Sequence, residues 1–164
     1  CDSEGITNKQ NNVLIVEQNN QELGFVGTPQ EVNKSIIEQV IKAGKVPVIS
    51  PLGLNKNNQV LNVNADTAAA SIARKLNARR LIIMSDVEGV LNENKKLITE
   101  IDTDKVDELI KNKTISGGMI PKIKNCLDVA SNGVKGVCII DGRLDHSILF
   151  ELLSNAGSGT LIRQ

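Results

Sequence analysis

Leu81-Ile82-Ile83-Met84-Ser85-Asp86-Val87-Glu88-Gly89-Val90-Leu91 opens as an uninterrupted apolar run and closes as a polar turn containing glycine. A run without polar alternation reads as a strand covered on both faces, so Arg80 to Met84 is expected as a buried parallel strand. Ser85 and Asp86 then stand at the carboxyl edge of an open α/β sheet, where such sheets take their ligands, and a nucleotide can rest there. Taken singly, the same two residues are equally ordinary cap and turn formers. Beyond them, Gly89 and the polar tip Asn92 to Lys96 make Glu88 to Leu97 a β-hairpin or loop.

Outward from this stretch, short β-branched runs alternate with amphipathic windows. Towards the N-terminus lie an alanine-rich helix, Asn64 to Leu76, and a buried strand, Val46 to Ser50. Before those, Thr28-Pro29 with Glu31 predicts a helix start, with Val32, Ile36, Val40 and Ile41 at helical spacing and Gly44 as its end. Val13 to Glu17 and Glu22 to Val26 read as an antiparallel pair joined by the polar turn Gln18 to Gln21. Towards the C-terminus, helices are expected over Asp102 to Lys113, Met119 to Ser131 and Asp145 to Ser154, the second closed by Asn132-Gly133. Strands are expected over Gly136 to Ile140 and Gly159 to Ile162. The alternation predicts an α/β fold with mostly parallel strands. No linker or repeat interrupts it, so 1–164 is expected as a single domain.

Composition narrows the function. The chain has 164 residues, 40% of them apolar, which is enough for one core at roughly 150 residues per domain. Lys plus Arg and Asp plus Glu are 19 each, so no net charge draws the chain to a phosphate backbone or an anionic bilayer. Phe25 and Phe150 are the only aromatics, which removes the stacking platforms of single-strand binders. No nucleic-acid partner is expected. No apolar run approaches a membrane span of about 18–20 residues, so no membrane is expected either. Cys1, Cys126 and Cys138 lack close pairing and fit a reducing, cytoplasmic setting. A chain that begins with Cys reads as a processed product or a piece of something longer.

Two further constellations carry chemistry. Asn62, Asn64 and Asp66 alternate on the approach to a helix, so an extended backbone would project them to one side as a row able to hold a small polar ligand. Asn64 or Asp66 can equally be a plain N-cap. Thr114-Ile115-Ser116-Gly117-Gly118-Met119-Ile120-Pro121-Lys122 is a glycine loop feeding a helix. Its free N–H groups and the helix dipole make a plausible phosphate seat, without the Walker A spacing. Lys122 can fold back over the loop, whereas Lys124 points about 200° away around the helix. A solvated lysine beside an ordinary cap is the plainer alternative.

Leu23-Gly24-Phe25-Val26-Gly27, Val46-Pro47-Val48-Ile49-Ser50-Pro51, the Asn-Val-Asn-Ala-Asp run, Ser85 to Val90 and Gly117 to Lys122 together resemble the amino-acid kinase family, and within it the acetylglutamate kinases. The resemblance covers essentially the whole chain. It implies a three-layer αβα sandwich around a mostly parallel open sheet. The implied reaction uses ATP and Mg²⁺ to phosphorylate the side-chain carboxylate of N-acetyl-L-glutamate, a step of arginine biosynthesis. By the same resemblance Asn62 and Asn64 bind that substrate, Asp66 organises the catalytic lysines, and Lys122 stabilises charge on the transferred phosphoryl group. Asp86, Val87, Glu88, Gly89, Val90 and Leu91, with Thr114, Ile115 and Ser116, form the nucleotide site. No metal is held by the protein alone.

The C-terminal stretch with His146, Glu151 and Gly157 resembles the signature of those members that L-arginine inhibits, in which sensing accompanies homo-oligomer assembly. A capped helix and tight turn would look the same. The family's Lys-x-Gly-Gly and His-Gly-Gly loops and its substrate arginine are not found here, so the chain resembles the C-terminal, nucleotide-binding half. The competing expectations are a nucleotide or arginine sensor without turnover and another family member such as glutamate 5-kinase.

Overall fold

The computed structural model describes residues 3–6, 13–19, 24–154 and 157–163. The chain divides into two compact units, Cys1–Leu76 and Asn77–Gln164, and each is α/β.

In the first unit, β1 (Ser3–Ile6) lies parallel to β4 (Val46–Ile49). A second sheet has the order β3-β2-β5-β6, built from β2 (Leu14–Gln18), β3 (Gly27–Val32), β5 (Leu52–Leu54) and β6 (Val60–Asn62). Helices α1 (Lys34–Lys42) and α2 (Ala65–Lys75) complete it. The core joins Leu14, Val16, Val32, Ile37, Leu61, Val63 and Ala68, with Ile36, Val40 and Ile72 packed against it.

Three expectations change here. The expected strand Glu22 to Val26 lies partly outside the described residues; Val26 makes only an isolated bridge to Asn62, and the antiparallel partner of β2 is β3. Thr28 and Pro29 therefore sit in a strand and do not open a helix. Pro29 is tolerated because β3 is the edge of its sheet and the β2–β3 register shifts between Ile15 and Val16, opposite it, so no ladder N–H is lost. The helix starts at Lys34, with Asn33 as its N-cap. Finally, β4 is not buried: Val46 and Val48 are 50% and 54% exposed, because among the described residues its sheet has only two strands. The hairpin of β5 and β6 has no strong sequence signal, since Gly53 and the polar run Asn55 to Asn58 break the apolar pattern.

In the second unit the sheet order is β7-β9-β10-β8, from β7 (Leu81–Ser85), β8 (Glu100–Asp102), β9 (Val137–Asp141) and β10 (Gly159–Arg163). β7 runs parallel to β9 in the register Leu81↔Val137 through Ser85↔Asp141, and β10 is antiparallel to β9. Every residue of β9 is buried. Gly159 is required where β10 crosses it, since a Cβ there would run into the Ile139 carbonyl. On β7, Ile83 is buried while Met84, on the opposite face of the strand, is 52% exposed, which corrects the expectation of a strand covered on both faces.

Helix α3 (Val106–Lys111) follows a 3-10 turn capped by the Asp102 side chain. Helix α4 (Met119–Ser131) buries Ile123, Cys126, Val129 and Ala130 and packs on β9 and β10. Helix α5 (Ser147–Leu153) packs on β9. Among the described residues no helix is long and apolar enough to cross a membrane.

Candidate functional site

The parallel strands β7 and β9 end together, at Ser85 and Asp141. The loop leaving β7 is anchored from below. The Val90 N–H donates to Thr160 Oγ1 at 2.8 Å, and Thr160, fully buried, donates to the Ile98 carbonyl at 2.7 Å. Gly89 takes φ +140° in this loop, and a Cβ there would press on Thr160 and Leu97. Glycine is thus required by both backbone and space.

A second loop meets the first. Ile115 is 1% exposed and its N–H donates to the Leu109 carbonyl. This anchor holds Thr114 and Ser116 on either side of it. One cavity of about 390 Å³ is lined by Asp86, Val87, Glu88, Gly89, Val90 and Leu91, by Thr114 and Ser116, and by Met119 and Arg143. The two segments expected at a nucleotide site therefore share one cavity, except that Ile115 serves as the buried pin. Gly117 at φ +56° and Gly118 open onto free space, with no atom within 4 Å of an added Cβ, and lead into the N-terminus of α4.

Lys122, in the first turns of α4, donates from Nζ to Ser85 Oγ at 2.7 Å. It is half-buried while Lys124 is exposed, as the angular separation along the helix requires. The Asp141 side chain, buried at the end of β9, accepts three hydrogen bonds from Arg143, from the backbone N–H, Nε and Nη2 at 2.8–2.9 Å. Those bonds hold the Asp141 carboxyl down, at about 2, and raise the Arg143 guanidinium. Sequence reasoning missed Asp141 and Arg143. Asp-Gly-Arg after the apolar run of β9 repeats the logic of Ser-Asp after β7, and that was the available signal.

Chemically, the cavity offers the carboxylates of Asp86 and Glu88, two hydroxyls, and one fixed guanidinium. Carboxylates and hydroxyls suit a hydroxylated ligand end, while an anion is better served by the Lys122 ammonium and the open glycine turn, since the Met119 and Ile120 N–H groups already donate to the Ser116 and Gly117 carbonyls and Pro121 has none.

In the first unit, Asn62 ends β6 with an exposed side chain, its N–H donating to the Phe25 carbonyl at 2.8 Å. Buried Val63 separates it from exposed Asn64, so the expected alternation holds for these two and ends where α2 begins, before Asp66. Asn64 also caps α2, its Oδ1 accepting from the Thr67 N–H at 3.1 Å, and Asp66 lies half-buried in the first helical turn.

Glu151 and Gly157 line a second cavity of about 200 Å³, with Arg80, Thr99, Glu100, Ser154, Gly159 and Leu161. Glu151 is 8% exposed. Its Oε1 accepts from Arg80 at 3.2 Å and from the Cys138 thiol at 3.0 Å, and its Oε2 from the Ser158 N–H at 2.9 Å. Burial, then the Glu151 hydrogen bond, pushes the Cys138 thiol up to about 12. His146 is exposed, takes φ +60° as the cap of α5, and does not line this cavity.

The chain is similar to known proteins along its whole length. The chain is 65% identical to the acetylglutamate kinase of Pelagibacter ubique (strain HTCC1062) over 164 residues, all of this chain and 57% of that protein. It is 44% identical to the acetylglutamate kinase of Ruegeria pomeroyi (strain ATCC 700808 / DSM 15171 / DSS-3), over 98% of this chain and 56% of the relative. The chain thus spans a little over half the length of these curated relatives. The crystal structure of smu.665 from Streptococcus mutans UA159 superposes with a TM-score of 0.79 at 31% identity, covering 99% of this chain and 61% of that one. The sequence profile of the amino acid kinase family matches residues 2–141, and with the paired strand ends and the glycine loop in place, the chain belongs to that family.

Proposed function

We propose that the chain is the nucleotide-binding part of an acetylglutamate kinase, which transfers the terminal phosphoryl group of ATP to the side-chain carboxylate of N-acetyl-L-glutamate. The observation that carries this reading is the single cavity lined by both Asp86 to Leu91 and Thr114 with Ser116, beside a lysine held at the strand end. Identity of 65% to a named acetylglutamate kinase along the whole chain supports the choice of substrate.

The acceptor carboxylate is already ionised near neutral pH, so no general base is needed and Asp66 is not one. Catalysis is positioning and charge neutralisation. Lys122 meets the charge on the transferred group, the open Gly117-Gly118 turn lets phosphate approach the backbone closely, and Asn62 and Asn64 hold the acceptor. Mg²⁺ would enter with ATP and offset the charge of its phosphates. Asp66 serves the reaction from the first turn of α2. L-Arginine is proposed as an inhibitor at the Glu151 cavity, in a homo-oligomer. The buried thiols Cys126 and Cys138 suit a reducing cytoplasm.

The test uses the longest natural chain that carries these residues. Incubation with Mg-ATP and N-acetyl-L-glutamate should yield an acyl phosphate that hydroxylamine traps as the hydroxamate. Phosphorylation of free glutamate in its place would transfer the chain to the glutamate 5-kinases. Nucleotide binding without any trapped product would favour a sensor.

A further inference from the structure

We infer that Ser85 is a positioning residue for Lys122, fixing the lysine ammonium at the end of β7 and tying its place to the first residue of the cavity. The inference rests on the kinase reading for its effect on rate, and on geometry alone for the contact.

An ammonium has no lone pair, so at 2.7 Å Lys122 Nζ donates and Ser85 Oγ accepts. The hydroxyl proton of Ser85 is then free to point elsewhere, and Asp86 Oδ1 lies 3.2 Å from Oγ. One hydroxyl therefore links the lysine to a carboxylate that lines the cavity.

The acceptor is itself rigid. Ser85 pairs with Asp141 across the parallel ladder, and its carbonyl accepts from the Gly142 N–H at 2.7 Å. A Cβ on Gly142 would stand 3.3 Å from Met84 Cβ and 3.4 Å from the Ser85 carbonyl oxygen, so the two strand ends already meet closely. The long, flexible stem of a lysine places its charge poorly unless something fixed receives it. In phosphoryl transfer a displaced charge costs rate while leaving substrate affinity nearly intact.

Two measurements test this. First, the wild-type chain and its Ser85→Ala, Ser85→Thr and Ser85→Cys variants are acylated with a water-soluble N-hydroxysuccinimide ester, and modification of Lys122 is read by peptide mass against the other lysines. Ser85→Ala should label Lys122 several-fold faster, on the order of threefold or more. Ser85→Thr, which keeps the hydroxyl, should match wild type. Ser85→Cys, close in volume and a weak acceptor, should follow Ser85→Ala and guards against a folding defect in any one variant.

Second, in the longest natural chain, Ser85→Ala should lower turnover on the order of tenfold with the KM for Mg-ATP unchanged, and Ser85→Thr should restore it. Unchanged labelling in both Ser85→Ala and Ser85→Cys overturns the contact. Altered labelling with full turnover overturns its use in the reaction. A wild-type chain that transfers no phosphoryl group at all overturns the kinase reading itself, which the labelling result does not depend on.

Discussion

Thr160 on β10 holds Val90 of the cavity loop through a 2.8 Å hydrogen bond from the Val90 N–H, although 70 residues separate them in sequence. The same hydroxyl donates to Ile98 across the loop. The cavity's floor is therefore set by a residue that never faces its ligand.

Thr160→Val keeps the shape and removes both bonds, leaving a buried N–H and a carbonyl unpaired. The expected cost is about 2–4 kcal/mol, at roughly 1–3 for each orphaned group less relaxation. Chemical denaturation should show the midpoint falling with the slope unchanged, and amide shifts should concentrate in 86–98. A loss below about 0.5 kcal/mol would mean that the loop is held by other contacts.

The acid side of the stability profile should depend on Asp141. Its carboxyl is held at about 2, below its ordinary 3.8, first by the Arg143 side chain and then by the Arg143 N–H. A depressed carboxylate contributes stability that is complete above its unfolded pKa and is lost as pH falls through the folded one. Between about pH 4 and 2, wild type should therefore lose stability more steeply than Asp141→Asn. Equal slopes for the two proteins would remove the pair from the account.

How much of this was legible follows from the range of each interaction. The glycine loop, α4 and the strand before Ser85 are written in local sequence, as apolar runs, glycines and a helix-compatible spacing. The Ser85–Lys122 contact was half visible, since both residues stood out and only their meeting at 2.7 Å required the fold. Pro29 misled because its helix-start chemistry and its edge-strand chemistry look the same in one dimension. Arg143 was missed because the expected strand stopped at Ile140, and the residues after it stand out only once β7 and β9 are seen to end side by side.

Lys122→Ala should reduce turnover on the order of 10² or more in the longest natural chain, with little change in Mg-ATP affinity, since its charge serves the transition state. Lys124→Ala, on the exposed face, should stay near wild type. Initial rates with trapped product, together with calorimetric nucleotide titration, separate the two effects. A large loss of nucleotide affinity in Lys122→Ala would make it a binding residue.

Cys138 should give the chain an alkaline weakness. Its thiol is pushed up from 9.0 to about 12, mainly by burial and then by the Glu151 carboxylate. The unfolded chain loses this proton first, so stability falls as pH rises from about 9 towards 12, with a slope of up to about 1.4 kcal/mol per pH unit. Cys138→Ala should flatten that slope. In the native state at pH 8 the thiol should resist alkylation until the chain opens. Rapid labelling of Cys138 by iodoacetamide under native conditions would contradict the burial on which the slope depends.

Glu151 decides whether the second cavity binds L-arginine. Both of its oxygens are already engaged, by Arg80, by the Cys138 thiol and by the Ser158 N–H. A free guanidinium that pairs with Glu151 must therefore share or replace Arg80, the one partner of the three that is itself a guanidinium. Glu151→Ala is a poor probe, since it leaves the buried Cys138 thiol and the Ser158 N–H without their acceptor, at roughly 1–3 kcal/mol for each. Glu151→Gln keeps the size and one acceptor, and Arg80→Ala empties the competing position. If L-arginine binds here, calorimetry on the longest natural chain should show affinity falling on the order of tenfold or more in Glu151→Gln, where a bidentate charged pair is lost. In Arg80→Ala affinity should hold or rise, because the incoming guanidinium meets a vacated carboxylate. His146→Ala should leave it unchanged, because His146 does not line the cavity. Equal arginine affinity in wild type and Glu151→Gln would assign Glu151 to holding β9, α5 and Arg80 together, with no part in regulation.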